Sequence, residues 1–160
     1  MGKQSAGILL YRIKGGGLEV LLGHPGGPFH ARKDLGAWSI PKGEFDKEAP
    51  LAAARREFLE ETGFEVTGET IQLMPIKQAG GKMVFAWAVE QDIDAAEIKS
   101  NTFALEMPRG SGNWKEYPEI DRAEWFDVPT ALEKINPAQA ALIKQLIKKL
   151  ALKEKEEDSD

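Results

Sequence analysis

The chain has 160 residues, 42% of them hydrophobic and 29% charged, with a formal net charge of −5. That length predicts one domain with a real core, and the acidic balance argues against a broad duplex-DNA surface, which requires clustered Lys and Arg. The absence of cysteine excludes disulfides and thiolate zinc, no apolar run approaches the roughly 18 residues of a membrane span, and Met1–Ala6 carries no signal-peptide pattern.

In chain order, Ser5–Ile13 (SAGILLYRI) and Leu18–Gly23 (LEVLLG) are apolar and β-prone. Lys14-Gly15-Gly16-Gly17 between them predicts a hairpin. His24–Asp34 (HPGGPFHARKD) is a polar Gly/Pro loop, and Trp38-Ser39-Ile40 reads as a short strand leading into Pro41-Lys42-Gly43. After a helical stretch come strand candidates at Thr70–Gln78, Lys82–Glu90 and Asn101–Met107, the last alternating Phe103, Leu105 and Met107. Arg122–Asp127 carries the apolar pair Trp125-Phe126. Asn136 is placed to cap a final helix with Pro137 at its first position and Ile143, Leu146, Ile147 and Leu150 as its core stripe. Periodicity thus predicts a mixed α/β domain over residues 1–152, followed by a charged tail, 153–160, expected to be frayed or disordered.

The chemistry concentrates in the helical stretch, Gly43–Phe64 (GEFDKEAPLAAARREFLEETGF). Pro50 suits the first helical turn, Gly63 the position just past the end, and Leu51, Ala54 and Phe58 form an apolar stripe. Glu57, Glu60 and Glu61 then share an arc of roughly 100° on one face. Three acids so placed repel one another, and a hard divalent cation with oxygen ligands reverses that penalty. A solvated acidic face, steadied by an Arg56–Glu60 pair, is the competing reading.

Gly43, Glu48, Arg56, Glu57, Phe58, Glu60, Glu61, Gly63 and Phe64 resemble the Nudix box, the signature of metal-dependent hydrolases acting on nucleoside diphosphates linked to another moiety. The REUxEExGU block matches fully, as does the seven-residue spacing from Glu48 to Arg56; only four residues, not five, separate Gly43 from Glu48. The resemblance implies an α/β fold of the Nudix αβα-sandwich type, with a mixed sheet, the box helix and a C-terminal helix. It also implies an Mg²⁺ or Mn²⁺ cofactor held by Glu57 and Glu61, by Glu60 directly or through water, and by the Gly43 carbonyl. Arg56 joins the catalytic set as the cation that orients these acids. Glu119, in Lys115–Phe126 (KEYPEIDRAEWF), is the choice for an additional ligand or general base.

No GxxxxGK[ST] loop occurs, so phosphates must be held by metal and basic side chains. Arg32, Lys42 and Arg109 are the candidate substrate contacts, with Lys33, Lys82 and Lys115 as further bases. The loops His24–Asp34 and Pro108–Tyr117 are expected to wall the cleft. Trp38, Trp114 and Tyr117 could stack on a base, although Trp38 in an apolar run suits the core. His24 and His30 receive no role. The region after the box matches no substrate-specific array, which leaves nucleoside triphosphates, dinucleoside polyphosphates and nucleotide sugars as alternatives. The expectation is a cytoplasmic, metal-dependent hydrolase of small nucleotides, with no duplex-DNA or membrane partner, monomeric or homodimeric. A Nudix-like binding module or ligand sensor is the alternative, and such modules usually lack one or more of the box acids kept here.

Overall fold

The computed structural model describes residues 3–158. Strands β1 (Gln4–Lys14) and β2 (Gly17–Pro25) form the expected antiparallel hairpin. Gly15 and Gly16 turn it with φ of 60° and 81°, values that a Cβ would strain. β3 (Lys42–Phe45) pairs with the start of β1, and α1 (Pro50–Thr62) follows. Gly63, at φ 81°, ends α1 and donates its N–H to the Leu59 carbonyl at 2.8 Å.

The sheet continues with β4 (Thr70–Gln72), β5 (Ile76–Lys77) and β6 (Met83–Glu90). A separate ribbon joins β7 (Thr102–Glu106) to β8 (Trp114–Pro118), and β9 (Ile120–Asp127) returns to the main sheet. α2 (Val128–Lys134) and α3 (Ala140–Asp158) complete the described chain. The sheet runs β4-β6-β1-β2-β9, with β3 on β1 and β5 on β6. It is mixed, since β1 and β6 are parallel and the other pairs antiparallel.

β1 is buried on both faces, and its period-2 alternation builds two cores. Leu9 and Tyr11 join Val20, Leu22 and Trp38 against Leu142, Ile143 and Leu146 of α3. Ile8 and Leu10 join Leu21 against Ala53, Ala54 and Phe58 of α1. The result is the expected αβα sandwich, with α1 on one face and α2 and α3 on the other.

Several local expectations differ. Trp38-Ser39 makes only single bridges, to Ile135 and Gly23, because the segment runs past the sheet and inserts Trp38 between helix and strand. The Thr70–Gln78 run is broken into β4 and β5 around Pro75, which has no N–H for the ladder. β8 and α2 were not anticipated from periodicity, although the Asp127 side chain caps α2 by accepting from Thr130 N–H at 2.9 Å. Asn136 caps as expected, but a 3₁₀ turn over Pro137–Gln139 precedes α3. Ile147 is 39% exposed rather than core, and Leu51 is only half-buried. Of the tail expected to fray, residues 153–157 continue α3 as exposed helical turns, and residues 159–160 lie outside the described residues.

Phe58 is fully buried at the centre of the α1 face. Phe58→Ala should cost about 3–5 kcal/mol, read as a lower urea midpoint at unchanged slope; a loss below about 1 kcal/mol would show that α1 is anchored elsewhere.

Candidate active site

α1 lies with Glu57, Glu60 and Glu61 against a cleft of ≈450 Å³ that is also lined by Lys42, Lys82 and Glu119. Arg56 organises the helix acids. Its Nε and Nη2 donate to Glu48 at 2.6–3.0 Å, and its Nη1 donates to Glu57 at 2.8 Å and to Glu60 at 3.2 Å. These partners raise the Arg56 pKa, with the Glu48 hydrogen bonds the largest cause. The short Gly43–Glu48 interval therefore leaves the Glu48–Arg56 clamp intact.

Gly43 is required by close approach. The Glu57 carboxylate packs directly on its Cα, in the space a Cβ would occupy. Glu61 is 8% exposed, and its Oε2 is buried with no hydrogen-bond partner among the described residues. Burial first, then the charges of Glu57 and Glu119, push its pKa up to about 9. Burial also raises Glu57, opposed by Arg56, and raises Glu119. Lys42 is lowered, chiefly by burial and then by Lys82, against the pull of Glu61, Glu44 and Glu57. Lys82 pairs with Glu44 at 3.1 Å and holds that carboxyl below its usual range.

The distal acid reaches the cleft through backbone hydrogen bonds. Asn101 N–H donates to the Glu60 carbonyl at 2.8 Å, Glu119 N–H donates to the Asn101 carbonyl at 2.9 Å, and Gly26 N–H donates to the Glu119 carbonyl at 3.0 Å. Glu119 is thus tied to the last turns of α1 on one side and to the loop after β2 on the other. Asn101 and Ser5 line the same cleft and were not anticipated; Ser5 Oγ, like Glu61 Oε2, is buried without a partner among the described residues. Neither residue stands in a motif.

A second cavity of ≈270 Å³ shares Lys42, Glu61 and Glu119 with the first and extends toward Gln78, Asn136 and Gln139. His30 lines it, while the exposed Arg32 and Lys33 line neither cavity. Arg109, expected as a phosphate contact, is exposed at the tip of the β7–β8 ribbon and also lines neither. No residue of the loop Pro108–Tyr117 lines these two cavities. Trp38 is 1% exposed and closed to a ligand, whereas Trp114 is 65% exposed on the ribbon.

His24, left without a role by its spacing, is fully buried. Its Nε2 donates to the Lys33 carbonyl at 2.7 Å and its Nδ1 lies 2.9 Å from Asp121 Oδ1. It fastens the loop after β2 to β9 beside Glu119.

The donor set fits a hard divalent cation. It offers carboxylate oxygens, one of them orphaned, beside a glycine whose missing side chain admits Glu57. Among the described residues no three His, Cys, Asp or Glu side chains are already gathered as a metal cluster. Glu57 and Glu60 both accept from Arg56 Nη1.

Residues 1–146 match the family model of the NUDIX domain. Among solved structures, a C. elegans Ap4A hydrolase in a binary complex is 24% identical, with a TM-score of 0.62 over 93% of this chain and 98% of that one. The NUDIX domain of Shewanella oneidensis NrtR, complexed with ADP ribose, is 16% identical, with a TM-score of 0.66 over 94% and 89%. A mutT/nudix family protein from Listeria innocua is 18% identical, with a TM-score of 0.64 over 94% and 95%. A Myxococcus xanthus protein named octanoyltransferase is 32% identical over 101 residues, 62% of this chain; the match spans 25% of the length of that curated relative. The chain belongs to the Nudix family. The family works with divalent metal ions.

Two outcomes follow from this geometry. Gly43→Ala should leave the fold intact, because the added Cβ meets the end of a side chain, but displace the Glu57 carboxylate. Displacements near 1 Å cost about a hundredfold in turnover, and undiminished turnover would remove the close approach from the account. The raised Glu61 pKa has a definite sign. Its stabilising protonated form is fully present below the unfolded value of 4.5 and lost as pH rises toward about 9. In chelator, stability should therefore fall across this range in the parent protein, and this component should vanish in Glu61→Gln. Parallel stability–pH curves for the two proteins would contradict the assignment.

Proposed function

We propose that this chain hydrolyses a phosphoanhydride bond of a nucleoside diphosphate derivative, with Mg²⁺ or Mn²⁺ held by Glu57, Glu60, Glu61 and the Gly43 carbonyl. The observation that carries the reading is the buried, unpartnered Glu61 oxygen beside Glu57 in a cleft that also holds two lysines. When bound, such an ion neutralises phosphate charge and lowers the pKa of a water molecule.

The chain's own residues supply the rest. Lys42 and Lys82 put positive charge on the cleft wall facing the acids, where polyphosphate oxygens need it. Glu119 lines both cavities, and the pKa raised by its partial burial suits a carboxylate that accepts the proton of the attacking water. Arg56 acts through Glu57 and Glu60, holding them in register, and is a positioning residue. The complete acid set favours catalysis over a purely ligand-sensing module. The Ap4A hydrolase and the ADP-ribose-bound NUDIX domain among the structural neighbours support a nucleotide substrate, with dinucleoside polyphosphates, nucleoside triphosphates and nucleotide sugars as the classes to assay. The reading includes one domain over residues 1–152, in the cytoplasm, with no duplex-DNA or membrane partner.

The test is a panel of these nucleotides assayed with Mg²⁺ and with Mn²⁺, products being separated to locate the cut bond. Turnover should require the ion, fall by at least a hundredfold in Glu61→Gln, and fall by about tenfold to a thousandfold in Glu119→Gln. Full activity of Glu61→Gln, or turnover undiminished by excess chelator, would overturn the reading.

A further inference from the structure

The second cavity carries hydrogen-bonding polarity that the reaction itself does not use. Gln139, fully buried in the 3₁₀ turn before α3, accepts the backbone N–H of Ile40 on its Oε1 at 3.1 Å. A backbone N–H can only donate, so the amide orientation of Gln139 is fixed. Its Nε2 then donates to Ser39 Oγ at 3.0 Å and to Gln78 Oε1 at 3.2 Å. The orientation passes to Gln78, whose oxygen is engaged and whose Nε2 has no partner among the described residues. Asn136 is fixed independently: its Oδ1 accepts the Ala138 N–H at 2.9 Å, and its Nδ2 is likewise without a partner among the described residues.

Both residues line the cavity, each with its amide oxygen engaged once and its nitrogen unpartnered among the described residues. The side-chain acceptors are placed otherwise. Glu61 and Glu119 stand at the end shared with the acid cleft, and Ser39 Oγ already donates to the Ile40 carbonyl while accepting from Gln139. His30 alone can serve in either sense. The volume, ≈270 Å³, lies below the roughly 300–1,000 Å³ of sites that hold an entire drug-sized ligand. It suits one part of a substrate whose phosphates occupy the neighbouring cleft.

We infer that this cavity seats the base of the nucleotide and that Gln78 and Asn136 select bases presenting a carbonyl oxygen, the 6-oxopurines and 4-oxopyrimidines, over their amino counterparts. A carbonyl oxygen accepts from both free nitrogens, whereas an exocyclic amino group meets them donor to donor and is left with only the second lone pairs of oxygens already engaged. The inference rests on the proposed nucleotide hydrolysis for its substrate, but not for its test.

Inosine and adenosine nucleotides differ at this edge and carry no 2-amino group. Binding of the two monophosphates should be measured by calorimetry, and hydrolysis of the two triphosphates and the two symmetric dinucleoside tetraphosphates by product separation. The inosine form should be favoured by about tenfold or more in Kd and in kcat/KM, the scale of one hydrogen bond exchanged for a clash of donors. Gln78→Glu and Asn136→Asp keep the engaged oxygen, and so keep the Gln139 contact and the helix cap, while replacing the free donor by an acceptor. Each should reduce the inosine-to-adenosine ratio toward one or invert it, whatever its general effect on anionic ligands. A ratio near one in the parent protein would overturn the inference. So would a ratio unchanged in both variants, with all bases weakened alike, as expected if the amides touch phosphate or sugar. Failure to hydrolyse any nucleotide while inosine monophosphate is still bound preferentially would overturn the proposed function and sustain the base selection.

Discussion

The site depends on carboxylates held out of water before anything neutralises them. Glu61 sits almost wholly buried with one oxygen unsatisfied, and Glu57 rests on the bare Cα of Gly43. An unpaired carboxylate in such a place is costly, so in the absence of a cation it keeps its proton, as the raised Glu61 pKa expresses. The same features that make the cleft unfavourable for bare acids make it favourable for a hard divalent ion. Stability is given up locally at Glu61, and a divalent ion bound there as proposed would recover it.

The fold bears that cost by fixing the acids from several directions. Phe58, one residue after Glu57, locks α1 onto the sheet, which fixes the directions in which Glu57, Glu60 and Glu61 leave the helix. Arg56 draws Glu48, Glu57 and Glu60 to one guanidinium. β3 enters the sheet through Ala6 opposite Gly43, which positions the glycine beneath Glu57. The backbone chain Glu60–Asn101–Glu119–Gly26 then brings an acid from the far end of the sequence to the same cleft. Its counterpart across the cleft is apart from the chemistry: the Gln139 network is rigid because each amide is oriented by a group that can only donate.

Legibility in the sequence followed the range of the interactions. The hairpin at Gly15-Gly16, α1 with its Gly63 stop and the acid triplet are governed by neighbours a few residues apart, and each stands where its pattern predicts. Glu119 also lies at the cleft, but that expectation came from the family resemblance and not from any local pattern. Arg32 and Arg109 were proposed from charge and loop composition, which do not specify direction, and both are exposed away from the cavities. Asn101, Ser5 and the pair Gln78–Gln139 reach the cavities because the fold brings segments distant in the chain together, so no spacing could reveal them. His24 shows the limit from the other side: a histidine in a Gly/Pro loop has the composition of a surface residue, and only the fold shows it fully buried between Lys33 and Asp121.

The most direct test of the central claim is to count protons as the ion binds. Calorimetric titration of the protein with Mn²⁺ near pH 7, repeated in buffers of different ionisation enthalpy, gives the number released per ion. A Glu61 carboxyl with a pKa near 9 is protonated at that pH and must lose its proton to ligate, so release should approach one proton per ion and disappear in Glu61→Gln. Binding with no proton release, or binding of the same strength and proton count in Glu61→Gln, would contradict the account.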